Sequence, residues 1–97
     1  MDSKTQAIEQ IRKIAAPILE RYGVVRSAIF GSAVHGELSE SSDIDFLVEF
    51  PSDSTLLDLA GLELELAEAL QRKVDVVTFH SLHPLLKDRV LKEAVSL

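Results

Sequence analysis

Cysteine is absent from this chain of 97 residues, so neither a disulfide nor a thiolate metal site is possible. No apolar run reaches the length of about 18 residues that a membrane-spanning helix needs. The first residues, Met1 to Lys4, lack the apolar stretch of a signal peptide. These absences exclude a membrane protein and a disulfide-bonded secreted domain, and we expect a cytoplasmic protein.

Positive charge is also scarce, since 10 Lys and Arg residues stand against 16 Asp and Glu residues, for a formal net charge of −6. A protein that binds the phosphate backbone of a nucleic acid needs a stripe of basic residues, so we expect no direct nucleic-acid binding. An acidic protein still binds a nucleotide when Mg²⁺ screens the phosphates. The charge therefore favours a small nucleotide donor.

The length predicts one domain, residues 1–97, with a modest core that a partner or a second copy would help to stabilise. Periodicity predicts an α+β fold, a small mixed β-sheet with helices packed on it, in the order α-β-α-β-α-β-α. The predicted strands are 24–30, 43–50 and 74–79. The predicted helices are 3 to about 22, a short piece after the first strand, 54–71, and a closing helix from Pro84.

Two helices carry specific expectations. In the first, the core face is Ile8, Ile11, Ile14 or Ala15, and Ile18, and Pro17 predicts a kink or a second helix beginning near it. In the third, the alternation from Leu62 to Leu66 is strand-like, but the Leu, Ala and Glu content favours a helix. Its predicted core face is Leu56, Leu59, Ala60, Leu66, Ala67 and Leu70. Leu57 and Leu64 lie off that face, as part of a wide apolar stripe or of a docking surface.

The run Phe30-Gly31-Ser32 follows the first predicted strand directly. Gly31 permits a turn that a side chain would obstruct, and Ser32 offers a hydroxyl and an N–H where a short helix would start. Free N–H groups at a helix N-terminus bind phosphate. Alone, Gly-Ser is a common turn dipeptide.

Asp43-Ile44-Asp45 opens the second predicted strand. Side chains two apart in a strand point to the same face, so Asp43 and Asp45 would project together. Two carboxylates beside a phosphate-binding turn suit a divalent metal. Asp75, within an otherwise apolar strand, is a charge that needs compensation, either by a metal or by water at a sheet edge.

This sequence resembles the nucleotidyltransferase superfamily that includes DNA polymerase beta, and it is most similar to the minimal nucleotidyltransferases. The resemblance lies in the order of five parts: a strand, Gly31-Ser32, the ten residues 33–42, Asp43-Ile44-Asp45 and a second strand. The resemblance extends over nearly the whole chain, through Lys73 to Thr78 and the closing run. Members commonly carry an arginine between the Gly-Ser and the next glycine, whereas this chain has Ala33-Val34-His35-Gly36. A triphosphate-binding cation is therefore missing there, unless His35 replaces it.

The resemblance implies roles for particular residues. Asp43, Asp45 and Asp75 would bind Mg²⁺, with two ions expected, and Asp75 would act as general base on the acceptor hydroxyl. Gly31, Ser32 and Gly36 would hold the phosphates of ATP. Glu37 could assist the metal site, while His80 and His83 are expected to be structural.

Minimal nucleotidyltransferases of this type are implied to be antitoxins that transfer AMP from ATP to a tyrosine of a HEPN-domain ribonuclease toxin. Little sequence follows the third strand, so the acceptor is expected on a partner protein or a second copy, in a homo- or hetero-oligomer. Two alternatives stay open. The chain could neutralise its partner by occlusion without catalysis, or it could transfer a nucleotide to a small molecule.

Overall fold

The computed structural model describes residues 3–31 and 43–97. Helix α1 spans Ser3–Arg21, strand β1 Arg26–Phe30, strand β2 Ile44–Glu49, helix α2 Leu56–Leu70 and strand β3 Val74–Thr78. A 3₁₀ helix at Phe79–Ser81, helix α3 at Pro84–Glu93 and a short strand β4 at Val95–Ser96 complete it. The structure confirms the α+β fold with a mixed sheet, and adds β4, which the sequence did not predict.

The described sheet has the order β3-β2-β1-β4. Strand β2 lies in its middle, antiparallel to β1 and parallel to β3, and β4 is antiparallel to β1. A parallel neighbour needs a crossover connection, which α2 supplies between β2 and β3. The predicted short helix after β1 lies outside the described residues.

Helices α1 and α2 cover one face of the sheet. Their buried side chains pack against those strand residues that point to this face, and the members of this cluster include Ile8, Ile11, Ala15, Ile18, Ile29, Ile44, Phe46, Val48, Leu62, Leu66, Val74 and Val76. The second face carries a smaller cluster of Ala28, Leu47 and Phe79, against which Val90 and Ala94 of the α3 region pack. The alternation of β2 therefore sends Ile44, Phe46 and Val48 to one face and Asp45 and Leu47 to the other.

Helix α1 runs through Pro17 as one element, so the alternative of two helices is wrong. Proline removes one intrahelical hydrogen bond, at a cost of about 3 kcal/mol. Burial of the helix face that carries Ile11, Ala15 and Ile18 offsets this cost. Of the two residues left open for the core, Ala15 is buried and Ile14 is exposed.

Helix α2 is confirmed, but its core face differs from the prediction at three positions. Leu66 is buried, and Leu59, Ala67 and Leu70 are partly buried against the core as expected. Leu56 and Ala60 are exposed, and Leu62, which was not assigned to this face, is fully buried. Spacing of three and four residues from Leu59 through Leu62 and Leu66 to Leu70 defines the buried stripe. Within the described residues, no helix combines the length and apolarity needed to cross a bilayer.

Candidate functional site

Asp45 and Asp75 are register partners on the adjacent parallel strands β2 and β3. Paired residues of neighbouring strands point to the same face, about 4.8 Å apart along the hydrogen-bonding direction. Both side chains are half-buried, on the sheet face opposite α1 and α2. The structure therefore brings together two of the three aspartates that the sequence singled out.

Asp43 lies two residues before Asp45, and Lys73 lies two residues before Asp75. The Ile44 N–H donates to the Lys73 carbonyl over 3.1 Å, so the β2–β3 pairing extends back to Lys73. The Nζ of Lys73 lies 4.0 Å from Oδ2 of Asp43. Asp43, Asp45, Lys73 and Asp75 thus form a two-by-two group of side chains, which we call the carboxylate cluster.

The electrostatics of the carboxylate cluster are dominated by like charges. Partial burial raises the pKa of Asp45 above its ordinary value of 3.8, and the neighbouring carboxylates of Asp75 and then Asp43 raise it further. A raised carboxyl pKa means that the ionised form is disfavoured by its surroundings. A bound cation would relieve both the desolvation and the repulsion.

Gly31 directly follows β1 and lies against Asp45. Its φ of +77° is in the left-handed region that favours glycine. A Cβ at this position would lie 2.6 Å from Oδ2 of Asp45. The prediction that a side chain would obstruct this turn is confirmed, and the obstruction involves a carboxylate of the cluster.

The donor atoms fit Mg²⁺ held jointly by the protein and a nucleotide. Mg²⁺ usually takes one or two carboxylates together with substrate phosphates and water, and rarely a cage made of protein ligands alone. Among residues 3–31 and 43–97, no three His, Cys, Asp or Glu side chains are grouped as a self-sufficient metal site. The pair Asp45 and Asp75, with Asp43 beside it, has the carboxylate oxygens that a site shared with a nucleotide would need.

Several predicted site residues lie outside the described residues, namely Ser32, His35, Gly36 and Glu37. His83 is structural, as expected, because its Nδ1 accepts from the Leu85 N–H over 3.1 Å and so caps α3. His80 is exposed in the 3₁₀ helix. Sequence reasoning missed Lys73 as a member of the cluster, although its spacing of two from Asp75 repeats that of Asp43 from Asp45.

The chain matches the model of the family described as "Nucleotidyltransferase domain" over residues 11–97. A protein of Methanocaldococcus jannaschii, provisionally named a protein adenylyltransferase, is 53% identical over 91% of this chain and 95% of its own length. The protein adenylyltransferase MntA of Thermococcus cleftensis is 42% identical over 78% of this chain and 77% of its own length.

Solved structures share the fold. One, provisionally described as a minimal nucleotidyltransferase, superposes with a TM-score of 0.83 at 41% identity and covers 100% of this chain and 97% of that one. A chain from a crystal structure described as the Y104A mutant of a toxin-antitoxin complex gives a TM-score of 0.67 at 25% identity, covering 84% of this chain and 66% of that one. The first of these two matches covers the whole chain, so it includes strands β2 and β3 with the carboxylate cluster.

Proposed function

This chain belongs to the nucleotidyltransferase domain family, and we propose that it transfers AMP from ATP to a hydroxyl group of a partner toxin, as an antitoxin. It is an enzyme of the nucleotidyltransferase class. The observation that carries the proposal is the pairing of Asp45 with Asp75 beside the turn at Gly31. Relatives named protein adenylyltransferases support a protein as the acceptor.

Asp43, Asp45 and Asp75 are the proposed Mg²⁺ ligands. When bound, the metal would polarise the α-phosphate and screen the charge of the triphosphate. Burial and mutual repulsion of the carboxylates, which raise the pKa of Asp45, support a cation as their partner. The turn at Gly31, with the proposed phosphate ligands Ser32 and Gly36, would hold the phosphates on the β1 side of Asp45.

Asp75 is the proposed general base. It lies on β3, an outer strand of the described sheet, beside Asp45 on β2. Its carboxylate would take the proton of the acceptor hydroxyl while the hydroxyl oxygen attacks the α-phosphorus. The bond from the α-phosphorus to the bridging oxygen then breaks, and pyrophosphate leaves with the electron pair.

The acceptor is proposed to be a tyrosine of a HEPN-type toxin. The toxin-antitoxin complex among the solved structures supports a toxin as partner. Leu57 of α2 and Leu85 of α3 are 83% and 85% exposed, so both side chains are accessible to a partner that docks on these helices. Transfer of AMP to a hydroxyl of such a partner would need no acceptor domain on this chain.

Intact-mass spectrometry tests the proposal directly. The protein encoded beside this chain is incubated with it, ATP and Mg²⁺, in parallel with Asp43→Ala/Asp45→Ala and with Asp53→Ala, a matched change in the exposed turn after β2. We expect the partner to gain the mass of one or more AMP groups with the parent chain and with Asp53→Ala, and none with the double variant. Tandem mass spectrometry then locates the modified residue.

Two other results would replace the proposal. A stable complex that silences the partner without any mass change, with the parent and the double variant alike, would establish occlusion. Modification of a small hydroxylated compound without the partner would establish a small-molecule acceptor. Either result would contradict the proposal that the aspartates catalyse AMP transfer to a protein.

A further inference from the structure

We propose that Lys73 is a positioning residue for the donor nucleotide, whose ammonium group pairs with Asp43 before the nucleotide binds and with the polyphosphate afterwards. The inference rests on the proposed function, because it takes the carboxylate cluster as the site of Mg²⁺ and ATP. Lys73 would couple the binding of Mg²⁺ to the binding of ATP. The metal ion alone would bind weakly, and the metal ion together with the nucleotide would bind well.

Backbone pairing fixes the position of Lys73. The hydrogen bond from the Ile44 N–H to its carbonyl, 3.1 Å long, holds it immediately before β3, directly beside the start of β2. Strand alternation then sends its side chain to the same sheet face as that of Asp75. An ammonium group on a flexible four-carbon stem can reach several points around Asp43 from this anchor.

The ion pair of Lys73 with Asp43 is loose enough to exchange partners. Its atoms are 4.0 Å apart, and the side chain of Lys73 is 75% exposed and that of Asp43 41% exposed. Exposed pairs of this kind contribute little to stability. A polyphosphate, with several negative oxygens, is a stronger partner for the ammonium than one carboxylate.

Charge balance explains why such a cation is needed. Three aspartates already repel an incoming triphosphate, and the chain as a whole carries a net charge of −6. Four arginines have ion-pair partners outside the carboxylate cluster, namely Arg12 with Glu9, Arg21 with Glu65, Arg26 with Glu49 and Arg89 with Glu93. Lys73, in contrast, pairs with Asp43, a member of the cluster.

The role predicts opposite changes in two affinities. Without nucleotide, Lys73 competes with a metal ion for Asp43, so Lys73→Gln should bind Mn²⁺ more tightly, by about two- to fivefold, the range of an exposed ion pair. With nucleotide, Lys73→Gln loses a charge-assisted hydrogen bond, so AMP-PNP should bind about tenfold more weakly. A residue that only stabilised the fold would shift both affinities in the same direction.

The experiment measures Mn²⁺ binding by electron paramagnetic resonance, and AMP-PNP binding in excess Mg²⁺ by calorimetry. Lys73→Gln is compared with the parent, with Lys73→Arg, which keeps the charge, and with Lys13→Gln on the exposed side of α1. We expect the opposite shifts in Lys73→Gln, restored AMP-PNP binding in Lys73→Arg, and parent values in Lys13→Gln.

Failure of this inference and failure of the proposed function give different results. If the parent binds Mn²⁺ and AMP-PNP but Lys73→Gln shifts neither affinity, or shifts both in one direction, the role of Lys73 is wrong while the nucleotide site stands. If the parent binds neither probe, the nucleotide site itself is wrong and the role of Lys73 falls with it.

Discussion

The Cβ position of Gly31 lies 2.6 Å from Oδ2 of Asp45, so the turn that ends β1 and a carboxylate on β2 occupy adjoining space. The two residues belong to the two halves of the motif, Gly-Ser and Asp-x-Asp, which lie apart in the sequence. Antiparallel pairing of β1 with β2, in which Phe30 is opposite Asp45, brings them together. A change in one half therefore disturbs the other.

Gly31→Ala should lower activity strongly as well as stability. The left-handed backbone costs an alanine about 1–2 kcal/mol, and the added methyl group must push the Asp45 carboxylate aside. We expect a transfer rate at least about tenfold lower, since a displaced catalytic group costs one order of magnitude or more. Single-turnover transfer kinetics and urea unfolding measure the two effects.

Gly23→Ala is the matched control, because Gly23 also has a positive φ, of +70°, whereas its nearest neighbour would be Pro51 Cγ at 3.8 Å. It should lose a similar free energy of unfolding and keep its transfer rate. Equal losses of activity in both variants would show that Gly31 acts through stability alone.

Asp45→Asn should stabilise the metal-free protein at neutral pH. The folded state raises the pKa of Asp45, so proton uptake favours folding, and this stabilisation is lost as pH rises through the raised pKa. Replacing the carboxyl by a neutral amide removes that loss, so the advantage of the variant should be present at pH 7, shrink as pH falls through the raised pKa, and be gone below about 4, the unfolded-state value.

Urea unfolding of the parent and of Asp45→Asn at pH 7 and pH 4, with a chelator present, measures the difference. Asp53→Asn, in the exposed turn, should match the parent at both values. A destabilised Asp45→Asn at pH 7 would mean that its carboxylate accepts essential hydrogen bonds.

Local alternation was enough to predict much of the site. Asp43 directly precedes β2 and Asp45 lies within it, so the spacing of two residues predicted that both side chains share one face. The pairing of Asp45 with Asp75 could be seen only in the structure, in which β2 and β3 are parallel and these two residues are register partners. Lys73 was missed because its nearness to Asp43 depends on that register, which the sequence does not encode locally. The roles of these residues as ligands stay predictions.

The differences between the predicted and the observed fold also arise from contacts between residues that are distant in the sequence. Strand β4 has two residues, and it forms because Val95 and Ser96 pair with Ile29 and Ala28, far away in the chain. No local propensity marks so short a strand. In α2, several apolar stripes were compatible with the leucine-rich sequence, and contact with the sheet selects the one through Leu62.

Leu62 and Leu64 offer a test of that selection within one helix. Leu62 is 0% exposed and Leu64 68% exposed. Leu62→Ala should cost about 2–5 kcal/mol of unfolding free energy, as for buried leucines in general. Leu64→Ala should change it by less than about 0.5 kcal/mol. Chemical denaturation of both variants makes the comparison, and similar costs would contradict the orientation of α2.

Gly61 and Tyr22 should show strong energetic coupling. Alanine in a helix interior is normally more stable than glycine by about 1 kcal/mol, but a Cβ at Gly61 would lie 2.7 Å from the Tyr22 hydroxyl oxygen. That hydroxyl is hydrogen-bonded to Glu65, which raises the pKa of Tyr22, so moving it sacrifices a bond. Gly61→Ala should therefore give no gain in the parent.

In Tyr22→Phe the obstructing oxygen is gone, and the nearest remaining ring atoms would lie 3.4 Å from the new Cβ. Gly61→Ala should then stabilise the protein by most of the helix-propensity difference. A double-mutant cycle from urea unfolding measures the coupling, which we expect to approach about 1 kcal/mol. Additive effects would mean that Tyr22 moves away from α2 at no cost, and that its bond to Glu65 does not hold α1 against α2.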